Sequence, residues 1–307
     1  MTVFGPTTDF GVQTVLHNTG LTTMRGVWRL VEDLGFGWIS ISDHFYSGTR
    51  GRALEEPGCF EAVATHAALA CDTTSVRCGS LVYCAGYRHP AVIANALCTV
   101  DELSGGRAEL GLGAGWSETE YRAYGIPFPR LGLRLDLLEE SIQCVRGLLR
   151  GEVTDFDGTY FTLQDARCDP KPVQAELPIW VGGVGEQRTL RIAAQWADGW
   201  NGPLLDPASF AHKLGVLHRH CEDVGRDPSE LRTSVTLGLA WTEESLQLQF
   251  GELSEQVRPS VLTGSDQEVL DRIGQYIEAG AGQVILTLRA PFDTEAVERF
   301  AAALKLS

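Results

Sequence analysis

The fold is decided by the stretch Glu109-Leu-Gly-Leu-Gly-Ala-Gly-Trp116, which is followed by Glu118-Thr-Glu-Tyr121 and Gly125-Ile-Pro-Phe128. The apolar first half of this stretch predicts a buried strand, and the glycine-rich second half predicts a loop. Gly111, Gly113 and Gly115 leave bare backbone there, which suits a large flat ligand lying against the main chain. A bulge or a tightly packed barrel interior would require the same glycines, and the sequence is compatible with either role.

Outward from this stretch, extended apolar segments alternate with amphipathic ones along all 307 residues. No polar linker interrupts the alternation, so we predict an α/β fold: a (β/α)8 TIM barrel forming one domain over residues 1–307. The predicted strand and helix of each unit are 10–16 and 22–34, 38–42 and 60–70, 76–83 and 91–103, 108–113 and 132–149, 179–182 and 186–196, 199–202 and 208–224, 233–240 and 267–279, and 284–288 and 295–304.

Three segments are longer than ordinary barrel loops: about 45–59, 151–176 and 242–266. Long loops in a barrel are usually lids or packed insertions, and they would determine the choice of substrate. Within the second segment, two β-rich runs flank Asp157-Gly158, which predicts a hairpin.

Composition excludes several classes of function. A net charge of −15 argues against nonspecific binding to nucleic acid or to anionic membranes. Eight cysteines without a CxxC pair, no signal-peptide pattern and no apolar run of about 18 residues predict a cytoplasmic protein. His218 and His220 point to different sides of a predicted helix, so we predict no metal site, and no Gly-x-Ser-x-Gly motif indicates a hydrolase.

The reacting groups of a barrel enzyme lie where its strands end. Strand two ends in Ser42-Asp-His-Phe45, where His44, preceded by Asp43, is placed for proton transfer at neutral pH. A rim histidine bonded to a backbone carbonyl would give the same pattern. His89, before Pro90, is predicted to cap or pack against a helix, and Asn201 could meet a ligand or form a turn.

Strand five ends in a second glycine cluster, Gly182-Gly183-Val184-Gly185, directly before a helix. Exposed backbone N–H groups at such a turn can bind an anion, and a phosphate is the expected one. A glycine-rich turn without a ligand is the alternative.

Five stretches together resemble the bacterial-luciferase-like flavin and deazaflavin oxidoreductases, a barrel family, over nearly the whole chain. The stretches are Ser42-Asp-His-Phe45, Tyr87-Arg-His-Pro-Ala91, Leu103-Ser-Gly-Gly-Arg107 running into Gly111-Leu-Gly-Ala-Gly-Trp116, Pro178-Ile-Trp-Val-Gly-Gly183 and Ala197-Asp-Gly-Trp-Asn201. The first stretch and the Gly-Ala-Gly-Trp to Gly-Ile-Pro-Phe-Pro pattern are most similar to members that use coenzyme F420 rather than FMN.

The resemblance implies that the cofactor ring lies over the strand ends, with Asp43 and His44 beside it. It places a nonproline cis peptide in the bulged end of strand three behind the ring, here predicted at Ser80-Leu81. The phosphate would lie on the turn formed by Gly182, Gly183, Val184 and Gly185. The strand-four glycines Gly113 and Gly115 complete the predicted cofactor contacts.

One position departs from the sugar-phosphate dehydrogenase branch of this family. The loop after strand four carries a proton-donating glutamate in that branch, whereas this chain has Trp116. We therefore do not predict sugar-phosphate oxidation. Trp116 is expected to shape the substrate pocket together with Glu118, and His44 is the predicted general acid or base.

The leading hypothesis is an F420-dependent oxidoreductase that transfers a hydride between the deazaflavin and a small organic substrate. The alternative is an FMN-dependent monooxygenase that uses oxygen and receives reduced flavin from a separate reductase. A third hypothesis is a flavin-binding barrel without turnover. The resemblance also implies a homodimer, whereas the sequence does not identify the substrate.

Overall fold

The computed structural model describes residues 4, 8–46 and 58–306. Its strands are β1 (Asp9–Thr14), β2 (Trp38–Ile41), β3 (Arg77–Ser80), β4 (Tyr83–Cys84), β5 (Ala108–Gly113), β6 (Thr154–Asp157), β7 (Thr162–Ala166), β8 (Ile179–Gly182), β9 (Gly199–Pro203), β10 (Arg232–Leu239), β11 (Val261–Leu262) and β12 (Gln283–Leu288). Its α-helices are α1 (Leu21–Asp33), α2 (Ala62–Asp72), α3 (Pro90–Ser104), α4 (Glu118–Ala123), α5 (Leu131–Arg150), α6 (Thr189–Trp196), α7 (Pro207–Asp223), α8 (Glu243–Phe250), α9 (Ser254–Val257), α10 (Asp266–Glu278) and α11 (Thr294–Leu304).

Eight parallel strands close into a barrel in the order β1-β2-β3-β5-β8-β9-β10-β12. Closure is complete because β12 pairs with β1 along its whole length, from Asp9 opposite Gln283 to Thr14 opposite Leu288. Strands such as β2 and β5 are buried throughout, as expected for a parallel sheet covered on both faces. The predicted (β/α)8 TIM barrel is confirmed.

The helices begin where their sequences supply caps. The His89 side chain accepts a hydrogen bond from the backbone N–H of Ala91, with Pro90 in the first turn of α3, which confirms the predicted capping role. Asp206 caps α7 in the same way, and Ser265 and Glu268 form a reciprocal capping box on α10.

Two of the three predicted insertions carry secondary structure of their own. Strands β6 and β7 pair antiparallel, which confirms the hairpin, and Glu140 of α5 accepts backbone hydrogen bonds from Thr159, Tyr160 and Phe161 at 2.8–3.0 Å. The segment after β10 contains α8, α9 and β11, which extends the sheet beside β10. Most of the first predicted insertion, residues 47–57, lies outside the described residues.

The amino-terminal end of the barrel is filled. The rings of Trp38 and Trp180 lie 6.2 Å apart between centroids, and the carboxylate of Glu109 is 1% exposed. That carboxylate bonds to the Trp180 indole N–H and pairs with Arg77 and Arg232. Because this end is closed by side chains, the accessible mouth lies at the carboxyl ends of the strands.

The third strand is interrupted near that mouth. β3 ends at Ser80, a cis peptide joins Leu81 to Val82, and pairing with β5 resumes at β4. The predicted cis bond at Ser80-Leu81 is therefore wrong by one residue, because the resemblance located the bulge but not the bond within it.

The glycines of β5 make room for this bulge. A Cβ at Gly113 would lie 2.5 Å from a methyl group of Val82, and a Cβ at Gly182 would lie 2.7 Å from the other. Gly111 faces the Ser80 carbonyl in the same way. The alternating glycines therefore serve a bulge, one of the roles predicted for them, and they set Val82 half-buried at the mouth.

Candidate functional site

His44 lies three residues after the end of β2 and is held by a carboxylate from the loop after β5. Its Nδ1 lies 2.9 Å from Oε2 of Glu120 and 3.1 Å from Oε1. Glu120 projects from α4, a short helix in the loop after β5, and is 3% exposed. Sequence reasoning placed His44 at this site but selected Glu118 instead of Glu120.

Glu120 also binds the chain that follows His44. Its Oε1 accepts hydrogen bonds from the backbone N–H groups of Phe45 at 2.7 Å and Tyr46 at 3.2 Å, and its Oε2 accepts one from the Tyr87 hydroxyl. Burial opposes its ionisation, but His44 and the Phe45 amide outweigh burial and lower the pKa of Glu120 to about 2. An ionised carboxylate only accepts hydrogen bonds, so Nδ1 of His44 donates and Nε2 is left for proton exchange.

Asp43, the neighbour of His44, has a different set of partners. Its carboxylate is buried, accepts a hydrogen bond from the Cys84 backbone N–H at 2.9 Å and forms a bidentate pair with Arg88 at 2.6 and 3.1 Å. Arg88 also pairs with Glu61. Asp43 therefore ties the end of β2 to β4, and its predicted contact with a cofactor remains a prediction.

The structure separates the two predicted pocket residues. The ring of Trp116 lies edge-to-face with the His44 ring, 5.5 Å between centroids, and is 73% exposed. Glu118 instead pairs with Arg122 on the solvent side of α4, 2.7 Å away. Trp116 therefore borders His44, whereas Glu118 does not.

Aromatic side chains line the same rim. Phe45 stacks on Tyr124 with 4.4 Å between ring centroids and lies 4.6 Å from Tyr87. Tyr87 in turn lies 4.8 Å from Tyr121. This wall gives a ligand above His44 an apolar surface with hydroxyl groups at its edges.

No group of three or more histidine, cysteine, aspartate or glutamate side chains in the described residues is arranged to hold a metal ion. Likewise, no helix of the described chain is long and apolar enough to cross a membrane.

Residues 4–250 match the family model described as luciferase-like monooxygenase. The chain belongs to the luciferase-like monooxygenase family. The match covers four-fifths of the chain, from β1 through α8, and includes His44, Glu120 and the glycine turn after β8.

Individual relatives of this luciferase-like protein share about a third or less of its residues over the matched region. It is 27% identical over 246 residues to a 5,10-methylenetetrahydromethanopterin reductase of Methanolobus tindarius, covering 80% of this chain and 69% of that one. The match to an uncharacterized protein of Mycobacterium tuberculosis, 32% identical over 128 residues, spans 42% of this chain and only 44% of that relative. An F420-dependent secondary alcohol dehydrogenase, solved with an F420-acetone adduct, superposes with a TM-score of 0.86 at 18% identity, covering 97% of this chain and 99% of that chain.

The glycine turn of this luciferase-like protein retains donors for an anion. Gly183 has a φ of +132°, and its carbonyl accepts a hydrogen bond from the Trp200 indole at 2.8 Å. The backbone N–H groups of Val184 and Gly185 find no acceptor within the described part of the chain. Unpaired N–H groups before α6 fit the predicted phosphate site.

Asn201, in the middle of β9, bonds to side chains of the neighbouring strand β10. Its side-chain amide donates to the hydroxyl groups of Ser234 at 2.9 Å and Thr236 at 3.0 Å, and the residue is 3% exposed. Asn201 lies within a strand, so the predicted turn is wrong, and a ligand contact of Asn201 stays a prediction.

Proposed function

We propose that this luciferase-like protein is an F420-dependent oxidoreductase that transfers a hydride between the deazaflavin and a small organic substrate. The observation that carries the proposal is the hydrogen bond between Nδ1 of His44 and the buried Glu120 carboxylate at the barrel mouth. A reductase and a dehydrogenase among its relatives and structural neighbours, each named for its F420 or methanopterin chemistry, support the same assignment.

The residues present fit such a cofactor. Val82 is half-buried, and the glycines on both sides of it carry no side chains that would shield it, so it offers a flat apolar seat for a ring. The N–H groups of Val184 and Gly185 would hold the phosphate, and Gly182 and Gly183 would let it approach the backbone. The residues that form or flank the bulge would shape this seat: Ser80, Leu81, Gly113 and Gly115.

Bound F420 would supply two-electron hydride transfer. The accompanying proton would be transferred by a side chain of the protein. Because Nδ1 of His44 donates to Glu120, Nε2 is the atom that gives a proton to, or takes one from, a substrate oxygen. Trp116 stands against the His44 ring and would limit the space from which substrate approaches.

The description of the matching family favours one alternative, a monooxygenase. In that case FMN would replace F420, oxygen would be a substrate, and a separate reductase would supply the reduced flavin. The apolar surface at Val82 and the glycine turn after β8 fit either cofactor. The relative affinities for F420 and FMN therefore decide between the two functions. We further propose a homodimer, which a sedimentation mass near 33 kDa instead of twice that value would refute.

The deciding experiment is a calorimetric titration of the cofactor-free protein with F420 and with FMN under identical conditions. We expect tighter binding of F420, followed by oxidation of reduced F420 in the presence of small carbonyl compounds. Tighter binding of FMN, with oxygen uptake, would establish the monooxygenase instead, and binding of neither would refute both.

The role of His44 is tested with His44→Ala. Cofactor affinity should be unchanged while turnover falls about 100-fold or more, since general acid–base catalysis contributes about 10²–10⁴. His89→Ala is the matched control, because His89 caps α3 and is exposed. Unchanged turnover in His44→Ala with intact F420 binding would remove His44 from the mechanism.

A further inference from the structure

Three buried polar atoms around the mouth have no hydrogen-bond partner among the described residues: Nδ1 of His17, Oγ of Ser42 and Nε of Arg289. His17 follows β1, Ser42 follows β2 and Arg289 follows β12, and these three strands are neighbours in the barrel. Buried polar groups in proteins are nearly always paired. Three unpaired groups at one part of the rim therefore form a candidate binding site for a polar group.

Arg289 is the charged member of this group. Its guanidinium lies over the ring of Phe250, 5.2 Å from the centroid, and none of the described carboxylates forms an ion pair with it. Burial alone lowers the pKa of Arg289. A partly buried cation whose Nε has no hydrogen-bond partner is costly to leave without a counter-charge, and an anion would relieve that cost.

His17 places this cation near the proposed catalytic pair. Burial, with the charges of Arg289 and His44, lowers the pKa of His17 to about 4, while the charge of Glu120 opposes the shift. His17 also forms a β-bridge with Cys59, whose thiol donates a hydrogen bond to the His44 carbonyl, so His17 lies beside the segment that carries His44. At neutral pH His17 is uncharged, so it can offer a ring N–H without adding positive charge.

We propose that Arg289, His17 and Ser42 bind a carboxylate group of the substrate, so that a carbonyl or alcohol carbon of the same molecule lies toward His44. The donors comprise one positive charge and two neutral groups, which balances a monoanion. A phosphate dianion would leave an uncompensated negative charge close to Glu120. The substrate class is therefore a small oxo or hydroxy acid, an inference that rests on the proposed function for its reaction.

The first test needs no turnover: the F420-free full chain is titrated with acetate and with inorganic phosphate by calorimetry or by chemical-shift changes. Acetate should bind more tightly than phosphate. Arg289→Met should weaken acetate binding about 10- to 100-fold, and Arg289→Lys should weaken it less, since a charged hydrogen bond is replaced rather than deleted. Melting curves of both variants establish that they are folded.

Arg134→Met is the matched control, because Nε and Nη1 of Arg134 are also buried without partners among the described residues, but beside Phe128. Loss of acetate binding in Arg134→Met, with Arg289→Met unaffected, would overturn the assignment. Phosphate binding more tightly than acetate would overturn the choice of a carboxylate.

The second test compares 2-oxo acids with their methyl esters as substrates of the F420-loaded protein. The acids should have the higher kcat/KM, and Arg289→Met should remove that preference by raising KM for the acids. If F420 fails to bind while acetate binding still depends on Arg289, the proposed function falls and the carboxylate site stands. Turnover that is equal for acid and ester, and insensitive to Arg289, would refute the site alone.

Discussion

The buried carboxylate of Glu120 orients His44, the proposed general acid or base. We expect Glu120→Gln to lower kcat about 10- to 100-fold with little change in F420 affinity, because the amide keeps the shape but loses the charge that stabilises a protonated imidazole. Steady-state kinetics and a binding titration measure the two effects. Glu118→Gln is the control, since Glu118 is exposed and pairs with Arg122; equal losses in both variants would contradict the assignment.

The same residue gives a prediction for acid stability. The pKa of Glu120 is about 2 in the folded protein and about 4.5 when unperturbed, so the folded state gains stability from the carboxylate above about pH 4.5. That gain disappears as the pH falls from 4.5 toward 2. The wild-type melting temperature should therefore drop more steeply between pH 5 and pH 3 than that of Glu120→Gln. Parallel curves would show that Glu120 does not contribute in this way.

The sequence predicted His44 because barrel enzymes carry their reacting groups where strands end, and His44 lies close after the end of β2. It did not predict Glu120, although Glu118 and Glu120 lie in the same short motif. Residues two apart on a helix point in different directions, and only the packing of α4 against the mouth decides which carboxylate meets His44. His17 and Arg289 were missed for a related reason: their lack of partners is a property of the folded environment.

The bulge between β3 and β4 depends on glycines in the neighbouring strands β5 and β8, where a side chain would collide with it. Gly113→Ala would place a methyl group 2.5 Å from Val82, so we expect a destabilisation of about 1–3 kcal/mol in thermal or denaturant unfolding. Val82→Ala should recover much of that loss in the double variant. Gly132→Ala in α5 is the control, because no atom lies within 4 Å of the added methyl group. A Gly113→Ala variant as stable as Gly132→Ala would mean that Val82 is not held there.

The eight strand–helix units were predictable, and their boundaries agree with the structure to within a few residues, because periodicity and glycine or proline boundaries are local signals. The hairpin around Asp157-Gly158 was predictable for the same reason. Helix α4 was not, since its six residues are too few to show a period. The position of the cis bond was missed because it is fixed by the register of β4 against β5, which is a long-range property.

The closed end of the barrel is expected to control stability independently of the mouth. Glu109 on β5 joins Arg77 of β3, Trp180 of β8 and Arg232 of β10. Glu109→Ala leaves these donors without their shared acceptor and should cost about 2–4 kcal/mol, discounted because both arginines are partly exposed. Denaturant unfolding measures the loss. F420 affinity in the folded variant should be unchanged, and a parallel loss of affinity would show that the two ends are coupled.

The hydrogen bonds from Phe45 and Tyr46 to Glu120 have a consequence for how this protein could be adapted to new chemistry. They fix the backbone immediately after His44, the proposed proton-transfer residue, so we expect its position to tolerate sequence changes beyond Tyr46. Libraries for directed evolution should therefore vary this segment and keep residues 43–46 and 117–121 constant. Variants with different substrate specificities would then share the same proposed proton-transfer residues.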